Sequence, residues 1–280
     1  MAIPSAGSAL SLSAIQTEFG GSNPISMSEY YAGGSNVPSG TTGDAGNIPS
    51  SGAIAVSQLY GSSNRVAIAL TISSTTQSYN IYSNRGGTYS AGNSDVTLTV
   101  QAIVGSTGAS ALDTGSQWTS GDTIKIINNS QIVGKGNAGG AGGARSGAGS
   151  AGTAGQPALN LGYPVTIQNN GGFIRGGGGA GQQGGAGGAA GQTNSQTGAT
   201  AAAGQAGSIS GAGAGGDGSA QGSGDDGGGS GGHFGNAGAA GQNSNQASGG
   251  GGGAAGKGIN LNGNQVTYED GQGNIQGAVS

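Results

Sequence analysis

Chemistry needs side chains that hold charge or move protons, and this chain offers few. Its only histidine, His233, lies in Gly231-Gly232-His233-Phe234-Gly235, and it has no cysteine. Thiol catalysis, thiolate metal sites and disulfide scaffolds are therefore excluded. One histidine between glycines reads as a contact residue at a loop tip, not as a general base. Paired carboxylates stand at Asp225-Asp226 and Glu269-Asp270. Neighbours on an extended chain point apart, so neither pair makes an acid/base couple. Asp217, Asp225 and Asp226 faintly resemble a calcium-binding glycine repeat, but Gln221-Gly222-Ser223 breaks the required nine-residue frame. They are the only metal candidates, and the plainer reading is a solvated loop. No Gly-Lys-Ser/Thr phosphate loop follows a strand. The reading is no enzyme and no cofactor.

What remains is chemistry of contact. Gln192, Thr193 and Asn194, and Gln242, Asn243 and Asn245, are amides and hydroxyls within glycine-rich sequence. They suit the hydroxyls of a surface polysaccharide. His233 and Phe234 add a ring pair that a close-packed glycine scaffold has no room to bury. These eight residues are the candidates for binding a receptor, a surface glycan or a protein.

The elements that must position them are unusual. Glycine supplies 69 of 280 residues, while charged residues are 6% and the hydrophobic set 32%. A conventional core cannot extend through such a chain. The formal charge of −4 is too small for typical disorder and supplies no basic patch for nucleic acid. The start, Met1-Ala2-Ile3-Pro4-Ser5, lacks a basic region followed by an apolar stretch, so no signal peptide is expected. No run approaches the ~18 apolar residues of a membrane span.

Three parts are expected. Residues 1–64 carry an imperfect duplication, Ile3-Pro4-Ser5 to Ile15 matching Ile48-Pro49-Ser50 to Leu59. Ser11 or Ser13 is placed to cap a short helix through Ile15 and Phe19. A second helix near Ser26 or Ser28 would present Met27, Tyr30 and Tyr31, and residues 33–46 read as a linker. The apolar positions Leu10, Leu12, Ile15, Phe19, Tyr30 and Leu59 look too few for an independent core, so they are the candidates for docking on another protein. Residues 65–133 turn to period two, with strands expected at Val66–Ile72, Tyr79–Tyr82, Asp95–Val100 and Thr123–Ile127. This is a small β domain around Trp118. Residues 134–280 are glycine-rich.

A second repeat brackets the glycine runs. Ile124 to Val133 aligns without a gap on Val165 to Ile174, both around an Asn-Asn pair. Leu159-Asn160-Leu161 recurs as Ile259-Asn260-Leu261, and Val165-Thr166-Ile167 as Val266-Thr267-Tyr268. Such repeats imply stacked units that bury one another's apolar faces. Glycine at every third position, as at Gly178, Gly181, Gly184 and Gly187, suits a left-handed extended helix of three residues per turn. Such helices pair laterally through backbone where glycine faces the contact. The fold class is thus mostly β and irregular: a short helical attachment segment, a small β domain, then a polyglycine II bundle bracketed by short strands.

The order of these parts resembles the glycine-rich tail proteins of bacteriophages. Gly121-Asp122-Thr123-Ile124-Lys125-Ile126-Ile127-Asn128-Asn129 followed by Ile132-Val133-Gly134-Lys135-Gly136 looks like the entry to their glycine-rich domain. The head through Phe19-Gly20-Gly21 is similar to attachment segments of phage structural proteins. The resemblance is to the adhesins at the tips of T-even-type long tail fibres, whose polyglycine helices carry variable receptor-contacting loops. It implies a virion location, docking on tail or fibre proteins through residues 1–64, and host attachment. A homo-oligomer stays open, as does a purely structural virion role such as a connector or decoration protein.

Overall fold

Ser11 has extended backbone, and its hydroxyl accepts the Ala14 amide at 3.1 Å. Helix α1 therefore begins at Leu12 and runs to Phe19, where Gly20 at φ 81° ends it. The serine-cap expectation holds. The computed structural model describes residues 3–136, 151–177, 235–238 and 252–280. Ser26 caps a 3-10 turn at Met27–Tyr30, and a like turn spans Val56–Leu59. A two-stranded antiparallel ribbon, β1 (Thr42–Gly43) and β2 (Gly46–Asn47), lies within the expected linker. That expectation is corrected, because Val37 is fully buried and Ile48 follows the ribbon directly into the core.

The expectation that residues 1–64 lack a core is also corrected. Ile3, Ile15, Phe19, Tyr30, Ala32, Val37, Ile48 and Leu59 form one buried cluster. A second repeat holds it together: Ile25-Ser26-Met27-Ser28-Glu29-Tyr30-Tyr31 corresponds to Ile54-Ala55-Val56-Ser57-Gln58-Leu59-Tyr60. Each of these turns clasps the Pro-Ser turn of the other copy. Gly61 N–H donates to Pro4 O and Ala32 N–H to Pro49 O, both at 3.0 Å. Tyr60 Oη donates to Ser8 O at 3.0 Å, and Tyr31 Oη to Gly52 O. The second helical copy thus matches Met27–Tyr30, and not α1.

The chain divides into two units, one of residues Met1–Ala69, Arg85–Thr97 and Trp118–Ile124, the other of Leu70–Asn84, Leu98–Gln117 and Lys125–Ser280. In the first, Trp118 is buried and meets the Tyr89 ring edge-on at 5.5 Å. Asp122 is buried and accepts Tyr89 Oη, Ser94 N–H and Thr119 N–H at 2.7, 3.1 and 2.9 Å. These bonds fix the Ser120-Gly121 turn expected before the strand at Thr123.

Beyond Arg65 the strands follow one rule. They are β3 (Val66–Ile72), β4 (Thr76–Gln77), β5 (Tyr79–Asn80), β6 (Ser94–Val100), β7 (Val104–Gly105), β8 (Leu112–Asp113) and β9 (Thr123–Asn128). Next come β10 (Gln131–Val133), β11 (Leu159–Asn160), β12 (Val165–Gln168), β13 (Phe173–Arg175), β14 (Ile259–Asn260), β15 (Val266–Tyr268) and β16 (Ile275–Gln276). The expected strand Tyr79–Tyr82 ends at Asn80, where Asn80 Oδ1 accepts Ser83 N–H and a one-turn helix α2 (Ile81–Asn84) follows. The sheets read β15-β12-β9-β6-β3, β16-β13-β10-β7-β4 and β14-β11-β8-β5. Each strand lies beside the one three positions on, and the pairs among β4, β5 and β7 to β16 are parallel. Three short strands per coil, stacked in register, make a three-sided parallel β-solenoid.

The sequence repeat is the register of this stack. Lys125 faces Thr166, Leu159 faces Ile259 and Val165 faces Val266. One part is corrected: Ile132 faces Ile174, not Phe173, so the later coil gains a residue after the Asn pair. Stacking puts like on like inside. Leu112, Leu159 and Ile259 form one fully buried column; Val104, Ile132 and Ile174 form another. Asparagines stack as well. Buried Asn128 donates through Nδ2 to Asn169 Oδ1 at 2.7 Å, and Asn169 Nδ2 donates to Gly273 O at 2.8 Å. Beside them Asn170 Nδ2 reaches Asn129 Oδ1 at 3.2 Å. Low charge is no obstacle to such a core, since backbone and amide ladders satisfy its polar groups.

The expected boundary at 133/134 falls between β10 and a glycine-rich insertion. Strands on both sides of it belong to the same sheets.

Candidate functional site

Two glycine-rich segments leave the stack at one corner. Residues 134–158 join β10 to β11, and residues 176–258 join β13 to β14, the same corner one coil later. The equivalent connection of the preceding coil, 106–111, is short, and Lys135 Nζ donates to its Thr107 O at 3.2 Å. The sequence puts all eight receptor-binding candidates in the longer insertion.

At their roots the insertions are joined, within themselves and to each other, by backbone hydrogen bonds. Gly134 N–H donates to Arg175 O, Gln156 N–H to Lys135 O, Gly177 N–H to Gln156 O and Gly256 N–H to Gly177 O, each at 2.8 Å. Gly155 N–H reaches Ala254 O at 3.0 Å, Gly238 N–H reaches Gly253 O at 2.9 Å, and Gly235 N–H reaches Gly176 O at 3.0 Å. A Cβ at Gly134 would lie 2.1 Å from Gln156 O, one at Gly177 2.0 Å from Lys135 O, and one at Gly176 2.0 Å from Gly256 O. No real side chain fits at such distances. Glycine is required here for close approach of backbones, not for left-handed φ.

Of the sequence candidates, His233, Phe234, Gln192, Thr193, Asn194, Gln242, Asn243, Asn245, Asp217, Asp225 and Asp226 lie outside the described residues. Among the described residues, no cluster of three or more His, Cys, Asp or Glu is placed to hold a metal. Of the docking candidates, Ile15, Phe19, Tyr30 and Leu59 are buried within the first unit. Their apolar surface is already used. Leu10 is half-buried and packs against the same cluster, whereas Leu12 is 40% exposed, the one large exposed hydrophobic among the described residues.

A feature that sequence reasoning missed lies along β5, β8, β11 and β14. Asn80, Asp113, Asn160 and Asn260 occupy matching positions on these strands. Asn160 Nδ2 donates to Asp113 Oδ2 and Asn260 Nδ2 to Asn160 Oδ1, both at 2.8 Å. The signal was the Leu-Asn, Ile-Asn repeat, but Tyr79-Asn80 and Leu112-Asp113 only join it once the strands are stacked.

A parallel solenoid with glycine-rich insertions at one corner defines a repeat-built architecture. The profile of the family described as "Phage tail fibre adhesin Gp38" matches residues 67–280, which include the whole solenoid and both insertions. The chain belongs to this phage tail fibre adhesin family. Its place is the tail fibre of the virion, and its role is receptor binding. The purely structural alternative gives way to that role, and the family's work is adhesion. Among solved structures, the chain is similar to one in the gp37-gp38 adhesin tip complex of the bacteriophage S16 long tail fibre, at 22% identity and TM-score 0.47, covering 81% of this chain and 87% of that one. No curated protein matches the sequence.

Proposed function

We propose that the two insertions continue outward as a sandwich of polyglycine II helices, and that the loops joining them bind a glycan or outer-membrane protein on the host. The observation that carries this is the corner itself, where extended glycine segments already pair laterally through backbone hydrogen bonds with no room for side chains. A bundle growing from such a root is held in place by the solenoid. It needs no side-chain core of its own. His233 and Phe234 stand out as anchors, because an aromatic on a rigid scaffold loses little entropy on binding. Residues 1–64 dock on another fibre protein. Leu12 is the residue there whose apolar surface is free to be covered, with Leu10 at its side.

The deciding experiment is adsorption of phage carrying His233→Ala and Phe234→Ala together. Adsorption should fall severalfold or more with the melting temperature unchanged, and unchanged adsorption moves the receptor surface elsewhere. Incorporation of Leu12→Glu protein into particles tests the docking face in the same way.

A further inference from the structure

The β5, β8 and β11 members of the amide ladder, with the turn that follows β14, line a groove of about 510 Å³ on the flank of the second unit. Asn80, Asp113, Gln117, Asn160, Asn262 and Asn264 line it, with the backbone of Gly115 and Gly162. We propose that this groove is a saccharide-binding site, separate from the insertion loops.

Its composition selects the ligand class by elimination. None of the lining residues is basic, so phosphate, sulfate and other anions find no counter-charge. Asp113 is the sole carboxylate in the lining, too little for a hard divalent cation, which takes six or more oxygens and several charges. Leu161 is the one apolar lining side chain, and it is fully buried, so a lipid or aromatic ligand gains little. A neutral polyhydroxyl compound remains, and amides with one carboxylate suit it.

The groups are also held in place. Asp113 Oδ1 accepts Gly115 N–H at 2.6 Å and Oδ2 accepts Asn160 Nδ2 at 2.8 Å. Asn80 Nδ2 also donates to Oδ1 at 3.4 Å, and since a carboxylate has about four acceptor sites, about one is left for a sugar hydroxyl. Asn262 sits at φ 48°, an uncommon conformation for a residue with a side chain, and is fastened by Nδ2 bonds to Asn160 Oδ1 at 2.8 Å and Leu161 O at 3.0 Å. Asn264 Nδ2 reaches the same Leu161 carbonyl at 3.0 Å. Gln117 is exposed at the rim, where its Oε1 accepts Ser116 N–H at 3.2 Å and its Nε2 is left to donate outward. Successive coils repeat the polar group at the ~4.8 Å spacing between strands, so the groove offers the same contact several times along its length. Its volume is in the ~300–1,000 Å³ range of small-molecule sites.

The test uses the full chain, fluorescently labelled, on an array of bacterial surface glycans, with hits measured by saturation-transfer NMR on the isolated oligosaccharide. At least one neutral oligosaccharide should bind. Gln117→Ala should weaken it at least fivefold and Asp113→Asn should abolish it, with melting temperatures retained. Where Asp113→Asn fails to fold, Asn262→Gly takes its place, since glycine accepts the positive φ. The variant with both His233→Ala and Phe234→Ala should bind the same glycan normally, which keeps this site distinct from the receptor loops. An array with no hit, or a hit that survives the groove variants, or one lost only in the His233/Phe234 variant, would overturn the assignment.

Discussion

The glycine corner can be tested by adding one methyl group. In Gly177→Ala the new carbon would start 2.0 Å from Lys135 O and 2.4 Å from the carbon of the same carbonyl, so one segment must retreat by at least about 1 Å to reach the closest contacts real side chains make. That retreat breaks two lateral bonds of 2.8 Å, Gly177 N–H to Gln156 O and Gly256 N–H to Gly177 O. Overpacking of this kind costs about 1–3 kcal/mol, and each lost backbone bond about 0.5–1.5 kcal/mol. Against this, alanine lowers the entropy of the unfolded chain by only about 0.4–1 kcal/mol. The net is about 1–6 kcal/mol, and at roughly 2–4 °C per kcal/mol for a large domain the melting temperature should fall by roughly 2–24 °C. Calorimetry of the purified chain reads this directly. Gly108→Ala is the control, because a Cβ there meets nothing within 4 Å. If Gly177→Ala melts with Gly108→Ala and the wild type, backbone packing at this corner is not what requires glycine.

Three further outcomes are expected. Asn169→Leu leaves the buried Asn128 Nδ2 with only its 3.3 Å bond to Phe173 O and removes the donor to the Gly273 carbonyl, and should lower stability by about 1–3 kcal/mol in urea titrations. Tyr268 Oη is buried with no hydrogen-bond partner, and that burial raises its pKa. Tyr268→Phe should therefore be neutral or stabilising by up to about 1 kcal/mol; a clear loss of stability would show that the hydroxyl is satisfied. Burial by itself would raise the Asp95 carboxyl, but hydrogen bonds from Arg65 and Thr123 and the guanidinium charge outweigh it and hold the group below its usual value. A depressed folded pKa stabilises above the unfolded value of ~3.9 and is lost as pH falls through the folded one. Between pH 7 and pH 3 the wild type should lose more stability than Asp95→Asn, by under about 1 kcal/mol because both partners are partly exposed. Equal losses in the two proteins would remove the ion pair from the acid response.

Much of this architecture was legible in local sequence. Ser11 and Ser26 announce the two turns they cap, because a cap is a contact between near neighbours. The β-branched runs of β3, β6 and β9 show as period two, because each is six or seven residues long. Strands such as β8, β11 and β14 are two residues long and have no period of their own. They became visible only as repeats, Leu159-Asn160 against Ile259-Asn260, and the repeat proved to be the parallel register itself. Parallel pairing of each strand with the third one on, and hence the solenoid, was decided by the tertiary structure. Its partners are separated by whole coils and by insertions of any length, so no local spacing encodes them. The same holds for the core of the first unit. Ile3, Phe19, Val37 and Leu59 are scattered singly along the chain and look unpartnered until the crossed clasp of two repeats gathers them. The amide groove is a third case, built on three strands that share nothing in sequence but a polar residue after an apolar one. The sequence alone determined composition, and with it a chain that must build much of its interior from backbone and amides. Which backbone meets which was left to the stack, because contact between distant segments is a property of the folded chain and not of any stretch of it.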